Sequence, residues 1–455
     1  MDDCRAAGII LDALSDICNS KINSKNTEVI KSDESPYFTT LGKFVTENKD
    51  LSVINDAAYW NYQREKIYIR SKESNTQKRN RTKGRIRKYR INKVVKSTKL
   101  SICSQCGSRR IEANGRMKRD IVDIKFGNGY MKRWTVRYCT TYYKCKECNC
   151  SSASDDRNQE KSQFGPGISS FIIYCIIDLH IAQNMTSRII FKLFGIHIEQ
   201  STLNRLKSRM AIKYLETYTK IKETMISGKL IHADETHISV KGKDTYVWVF
   251  TSMEEVIYVW SETREGSIAT EFLQNFNGVL VSDFYAGYSS IKCKHQMCLI
   301  HLIRDMNDDM RKEPFNQELK NMTKDFGELV RSIIETVDKH GLSNEHLKIH
   351  KPDVSLYFEQ LKSTNYATEV AIKLRKRLIN NMNELFTFID YDNIPWNNNN
   401  AEHAIKAFAK IRNVISGTTN EVGIRDYMVL LSISQTCAYK SMDFLEFLIS
   451  EKTSI

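Results

Sequence analysis

The chain has 455 residues, with 68 Lys+Arg against 54 Asp+Glu, a formal net charge of +14 and 41% hydrophobic residues. That length asks for two to four folded units, and that apolar content excludes a globally disordered chain. The charge favours a polyanionic partner, nucleic acid first, and the absence of any run of about 18 apolar residues excludes a spanning helix.

Residues 1–77 carry little chemistry and stand as an N-terminal region without an assigned role. Their acidic start, with Asp2 and Asp3, is unlike a signal peptide and points to a cytoplasmic protein. Residues 78–101 form a basic segment without an acid, including Arg85, Arg87, Lys88 and Arg90. Such a block repels itself and suits nucleic acid; a solvated linker is the plainer alternative.

Residues 102–151 read as a zinc ribbon. Cys103 and Cys106 make one CxxC pair and Cys145 and Cys148 a second. Each pair sets two thiolates one tight turn apart, and two such knuckles complete a tetrahedral S4 site for zinc. Short strands are expected around Ile121–Lys125 and Trp134–Tyr138. Four thiolates leave no open coordination position, so the expected Zn²⁺ is structural. Cys139 and Cys150 are surplus, and reduced buried cysteines are the alternative.

After a polar linker, residues 164–226 read as helices over Ile168–Ile181 and Thr186–Phe194, a turn at Gly195, and a third helix over Ser201–Met210 with Ser201 as N-cap. This is a helix-turn-helix order, with Arg205, Lys207 and Arg209 offered to DNA. A plain helical bundle is the competing reading.

Residues 227–417 change texture. Strands are expected over Leu230–Val240, Thr245–Phe250 and Val256–Trp260, a helix over Ile268–Phe276, then a strand over Val279–Asp283. The order β-β-β-α-β is that of an α/β, RNase H-like catalytic core. Residues 301–390 read as a helical insertion, a helix after Asn400 closes the core, and residues 418–455 form a C-terminal helical region. Asp234 falls in the first strand, Asp283 ends the fourth, and Glu402 begins the closing helix. In such a core these positions converge. Clustered carboxylates repel one another unless a divalent cation supplies countercharge, and two Mg²⁺ ions suit in-line phosphoryl displacement. Each acid alone has a plainer reading as a surface, turn or first-turn residue.

Four ordered motifs, Asp234-Glu-Thr, Ser282-Asp-Phe-Tyr-Ala-Gly-Tyr288, Cys298-Leu-Ile-His301 and Trp396-Asn-Asn-Asn-Asn-Ala-Glu-His-Ala-Ile405, resemble the DDE-class transposases of bacterial and archaeal insertion sequences, above all the family numbered sixty-six. The resemblance spans about residues 160–450. It implies that Asp234, Asp283 and Glu402 are a catalytic triad holding two Mg²⁺ (or Mn²⁺) ions. It also implies DNA cleavage at the element's ends, transfer of the 3′-hydroxyl strands to target DNA, and recognition of the terminal repeats by the ribbon and helix-turn-helix. A homo-oligomer on DNA is implied by handling two ends together, and accessory transposition proteins are compatible with it. The protein would then associate with the nucleoid when bound to DNA. The family has arginine where this chain has His403, and commonly aspartate where it has Asn397. Cys298 and His301 match an element read as structural.

Lys406 lies one turn beyond Glu402, within reach of DNA phosphate. No GxxxxGK[ST] stretch occurs, so no ATP requirement is expected. The rival readings are a catalytically silent or domesticated DNA-binding derivative, another RNase H-like nuclease, and a zinc-ribbon transcription factor.

Overall fold

The computed structural model of the protein describes residues 89–153, 162–415 and 419–455. Region 1–77 and the cations Arg85, Arg87 and Lys88 lie outside the described residues, whereas Arg90 is exposed.

The first sheet joins β1 (Lys93–Lys96), β2 (Ile111–Gly127), β3 (Tyr130–Cys145) and β4 (Ser151–Ala153). β1 runs parallel to β3, β2 and β4 antiparallel to it. The two short strands expected within the ribbon are the inner parts of one hairpin with strands of 17 and 16 residues. Its turn, Asn128-Gly129, has Gly129 at φ 73°, a left-handed conformation that glycine adopts without strain. Polar side chains at most outer positions hid these long strands from the sequence pattern.

Asp123 fastens this hairpin to the first helix. Its Oδ1 accepts the N–H of Ile168 at 2.8 Å, in the first turn of α1 (Pro166–Ile173). Burial holds its carboxyl above the usual range, against three backbone N–H groups that favour the charge. A Cβ on Gly167 would lie 2.1 Å from the Ile124 carbonyl oxygen, so only glycine permits this approach.

α1 continues as a single π-helical turn over Tyr174–Asp178. Then come α2 (Gln183–Phe194), α3 (Gln200–Lys213) and α4 (Leu215–Ser227). Gly195 ends α2 at φ 65°. Ser201 is not the cap of α3: the helix begins one residue earlier, with Glu199 at the N-cap and no side-chain cap bond.

The second sheet holds β5 (Leu230–Val240), β6 (Lys243–Thr251), β7 (Val256–Ser261), β8 (Val279–Ser282) and β9 (Lys294–Met297), in the order β7-β6-β5-β8-β9. The first three are antiparallel neighbours; β8 and β9 join parallel. α5 (Ser267–Phe272) is shorter than its sequence pattern suggests. β9 has no counterpart among the strands expected from sequence.

The helices α6 (Leu299–Lys312), α7 (Gln317–His340), α8 (Asn344–Leu347), α9 (Lys351–Ser363), α10 (Glu369–Asn380) and α11 (Met382–Leu385) come after β9. They build a core with Val279, Val281 and Met297 on one face of the sheet. α12 (Asn399–Ile415), α13 (Glu421–Tyr439) and α14 (Phe444–Ser450) close the chain. Phe408 and Ile411 of α12 join a second core with Ile231, Leu280, Val249 and the helices before β5. Alternation along β8 therefore feeds both cores, as a strand covered on both faces requires.

Candidate active site and metal centre

Asp234 and Asp283 come from neighbouring parallel strands. β5 and β8 pair Leu230 with Val279, Ile231 with Leu280 and His232 with Val281. Two residues beyond that ladder on each strand come Asp234, still within β5, and Asp283, just past the end of β8, near enough for the Asp283 charge to act on Asp234. Asp234 accepts the N–H of Glu235 at 2.8 Å, and Asp283 accepts that of Tyr285 at 3.0 Å.

Glu402 reaches the same edge from the first turn of α12. The asparagines before it set that position. Asn398 is fully buried, and its Nδ2 donates to the Ala233 carbonyl at 2.9 Å. His232 Nδ1 lies 3.1 Å from its Oδ1, and since that oxygen can only accept, the imidazole donates. The Asn398 backbone N–H donates to Cys298 Sγ at 3.2 Å, and the Asn398 carbonyl accepts the N–H of Glu402 at 3.2 Å. The Cys298 N–H in turn donates to the Ser282 carbonyl at 2.9 Å, next to Asp283. One side chain thus bonds beside Asp234 and its backbone holds Glu402, with Cys298 linking it to the Asp283 strand. Asn397 Oδ1 takes the N–H of Asn399, and Asn400 Nδ2 donates to the Ser252 carbonyl at 2.6 Å.

Burial lifts the Asp234 carboxyl to about 7, against the Glu235 N–H that favours its charge; the nearby Asp283 and Glu235 carboxylates push it further up. His301 Nε2 lies 3.8 Å from Glu402 Oε1, and Arg304 Nη1 3.5 Å from the same oxygen. His301 is held above its ordinary value, first by the Cys298 thiol and then by Glu402 and Asp283, against the opposing pull of burial. The sequence pattern gave Cys298 and His301 a structural role. Cys298 has one; His301 also faces the acids, and Arg304, one turn on, was missed. The three-residue spacing on α6 was the available signal.

Glu235 plays a different part from its neighbour. Its side chain is 2% exposed, bonded by Arg264 at 2.6 Å and by the Tyr288 hydroxyl at 2.7 Å. Arg264 also lies over the Tyr285 ring, 4.3 Å from its centroid. The Asp-Phe-Tyr-Ala-Gly-Tyr motif therefore clamps Glu235 and leaves Asp234 unclamped. His403 turns to α13, 3.4 Å from the Tyr439 hydroxyl. Arg412 donates to Thr236 Oγ1 and the His237 carbonyl, fixing α12 along β5. Lys406 is exposed on the outer side of α12.

The second constellation is at the open end of the hairpin. Sγ of Cys103 lies 3.6 Å from that of Cys148, and Sγ of Cys106 lies 3.5 Å from that of Cys145. All four sulfurs fall within 4.8 Å of one another. A tetrahedral ion with ~2.3 Å bonds to sulfur needs sulfurs about 3.8 Å apart, so the donor set and its spacing fit zinc. Backbone N–H groups of the first knuckle pull Cys103 down to about 6. Cys148 accepts a backbone N–H from Cys150 that favours its thiolate, yet neighbouring Cys106 and burial push it up to about 12. Among the described residues this is the one group of three or more histidine, cysteine or carboxylate donors gathered so tightly. The three acids are set wider. Cys139 and Cys150 stand outside the set.

Of the cations offered to DNA, Arg205 and Arg209 are exposed on α3. Lys207 is corrected by the structure: it is 3% exposed, donates to the Gly423 carbonyl at 3.2 Å, and lies 3.9 Å over the Tyr427 ring. Burial lowers its ammonium to about 8. It ties α3 to α13 and offers nothing to a phosphate outside.

No helix among the described residues is long and apolar enough to cross a membrane. No curated protein matches the sequence. Residues 161–426, more than half of the chain, match the family model described as Transposase IS66 family. That match covers both strand acids, the Cys298–His301 element and the asparagine-led helix of Glu402, and the chain belongs to the IS66 family of transposases, proteins that act on DNA.

Proposed function

We propose that the protein binds the terminal repeats of an insertion sequence, cleaves DNA at its ends and transfers the freed 3′-hydroxyl strands to target DNA. Its second sheet with the flanking helices is read as an RNase H-like core, from the strand order β7-β6-β5-β8-β9 with its antiparallel and parallel halves. Asp234, Asp283 and Glu402 would hold two Mg²⁺ (or Mn²⁺) ions. The observation that carries this is the nearness of Asp234 and Asp283, each two residues beyond the β5–β8 ladder, with Glu402 held beside them through Asn398.

The donors fit the ions. All are carboxylates, the choice of a hard cation, and the burial that lifts Asp234 to about 7, with the smaller push from the Asp283 and Glu235 carboxylates, is what a cation there would offset. When bound, such ions activate an attacking oxygen and stabilise a leaving one. The chain's own part is positional. Asn398 and Cys298 set the spacing of the acids, and Arg304 places positive charge, with the His301 ring nitrogen next to it, where a DNA phosphate would approach Glu402. The four-cysteine ribbon would hold structural Zn²⁺.

The test is nicking of duplex DNA carrying the repeats that flank the gene, in Mg²⁺. Asp283→Asn should reduce nicking to background while duplex binding stays within about twofold. Undiminished nicking by that variant sinks the assignment. A wild-type protein that binds the ends but never nicks them would favour the silent derivative, and cutting without end joining would favour another nuclease.

A further inference from the structure

The closed end of the β2–β3 hairpin carries a group of side chains that neither the sheet nor the zinc site needs. Lys125 and Lys132 are directly opposite each other in the antiparallel register. Both ammonium groups lie over the same indole, 5.2 Å and 5.4 Å from the Trp134 ring. Lys132 also stands 5.1 Å from the ring of Tyr130, which is 50% exposed. From Ile124 to Trp134 the chain has three cations, Lys125, Lys132 and Arg133, and no acid. Two like charges facing each other across a ladder destabilise it. The nearest carboxylate along β2, Asp123, is committed to the first turn of α1. The shared indole softens the repulsion without removing it. A polyanion would remove it.

The location selects the polyanion. Arg133, one residue along, turns to the other face. It donates to the Phe194 carbonyl at 2.7 Å, closing the last turn of α2, and lies 4.9 Å over the Tyr89 ring. The hairpin tip is thereby fixed against the turn between α2 and α3, whose Arg205 and Arg209 are exposed. The zinc knuckles anchor the opposite end, roughly 50 Å away for a strand of this length.

We infer that the hairpin tip is a second DNA-contacting surface, in which Lys125 and Lys132 bind backbone phosphates of duplex DNA and Tyr130 packs against the sugar-phosphate edge. A two-stranded ribbon is a shape that a major groove admits. The contacts read charge and not sequence. The inference rests on the reading of the chain as a DNA-processing protein, but its test is binding, so its failure and that of the proposed cleavage chemistry are separable.

The experiment is fluorescence anisotropy of full-length protein with a labelled mixed-sequence duplex, across a salt series, without Mg²⁺ and without chelator. The Lys125→Gln/Lys132→Gln double variant should bind about tenfold more weakly. It should also lower the slope of log affinity against log salt by about 2, roughly one for each phosphate no longer neutralised. Removing a like-charge pair should leave folding intact, which wild-type zinc content and an unlowered melting temperature would verify. Unchanged affinity and slope overturn the inference. So does a changed assembly size with unchanged DNA binding, which would make the tip a contact between copies of the chain. Tyr130→Ala, at an exposed site, gives an independent reading and should weaken binding without changing the salt slope.

Discussion

Four consecutive asparagines precede Glu402, and each meets a different environment. Asn397 and Asn399 pair with each other, Asn400 reaches Ser252 and Tyr439, and Asn398 is fully buried beside Asp234. Replacing Asn398 with Ala would leave the Ala233 carbonyl and His232 Nδ1 without partners in the interior. We expect a loss of about 1–3 kcal/mol of stability, visible as a lower urea midpoint. Nicking should fall together with it, because the spacing between Glu402 and the strand acids loosens. Wild-type stability in that variant would contradict the role given to this side chain. The three acids proposed as the site stand out in the sequence by residue type and order alone. The asparagines were not, since identical letters hide which one turns inward; that depends on β5, more than 150 residues earlier. A helix start after Asn400 was expected from sequence, but the link from Asn398 to Ala233 was not.

At the level of elements, the strands with alternating or apolar texture were legible, and β9 was not. Its sequence, Lys-His-Gln-Met, has no strand pattern. Its buried Gln296 is satisfied from far along the chain: Nε2 donates to the Leu385 carbonyl at 2.9 Å, and Oε1 accepts the N–H of Phe388 at 2.8 Å. Lys207 shows the same limit on α3, where a basic residue in a basic helix reads as surface yet is held by Gly423 and Tyr427 on α13. The four-cysteine cluster was legible because CxxC spacing is itself the geometry. Cys145→Ser should abolish stoichiometric zinc, measured by metal analysis of the purified protein. It should also weaken duplex binding while the second sheet, which shares no ligand with the ribbon, keeps its far-ultraviolet signature. Full zinc retention would mean that Cys139 or Cys150 substitutes.

Across the whole molecule, the raised Asp234 carboxyl makes stability depend on pH in a defined direction. Its folded value is about 7 against an ordinary 3.8. Between those values the folded chain holds a proton that the unfolded chain has released, so stability falls as pH rises through that window. The contribution is full below about pH 4 and gone above about pH 7, at most on the order of 2–4 kcal/mol. Without added Mg²⁺ the melting temperature should fall by a few degrees between pH 5 and pH 8 on this account, and Asp234→Asn should remove that part of the fall. Mg²⁺ at pH 8 should restore it in the wild type and not in the variant; an identical pH profile in both proteins would refute the assignment of the shift to Asp234. Two acids come from one sheet, but the third arrives only after the helices α6 to α11 have been laid down. A chain still being synthesised, or one truncated before residue 399, therefore presents Asp234 and Asp283 with no Glu402 and without the packed helix that would hold it. On the proposed reading, competence to cut DNA would be deferred until α12 has emerged and folded, and an unfinished product would lack it.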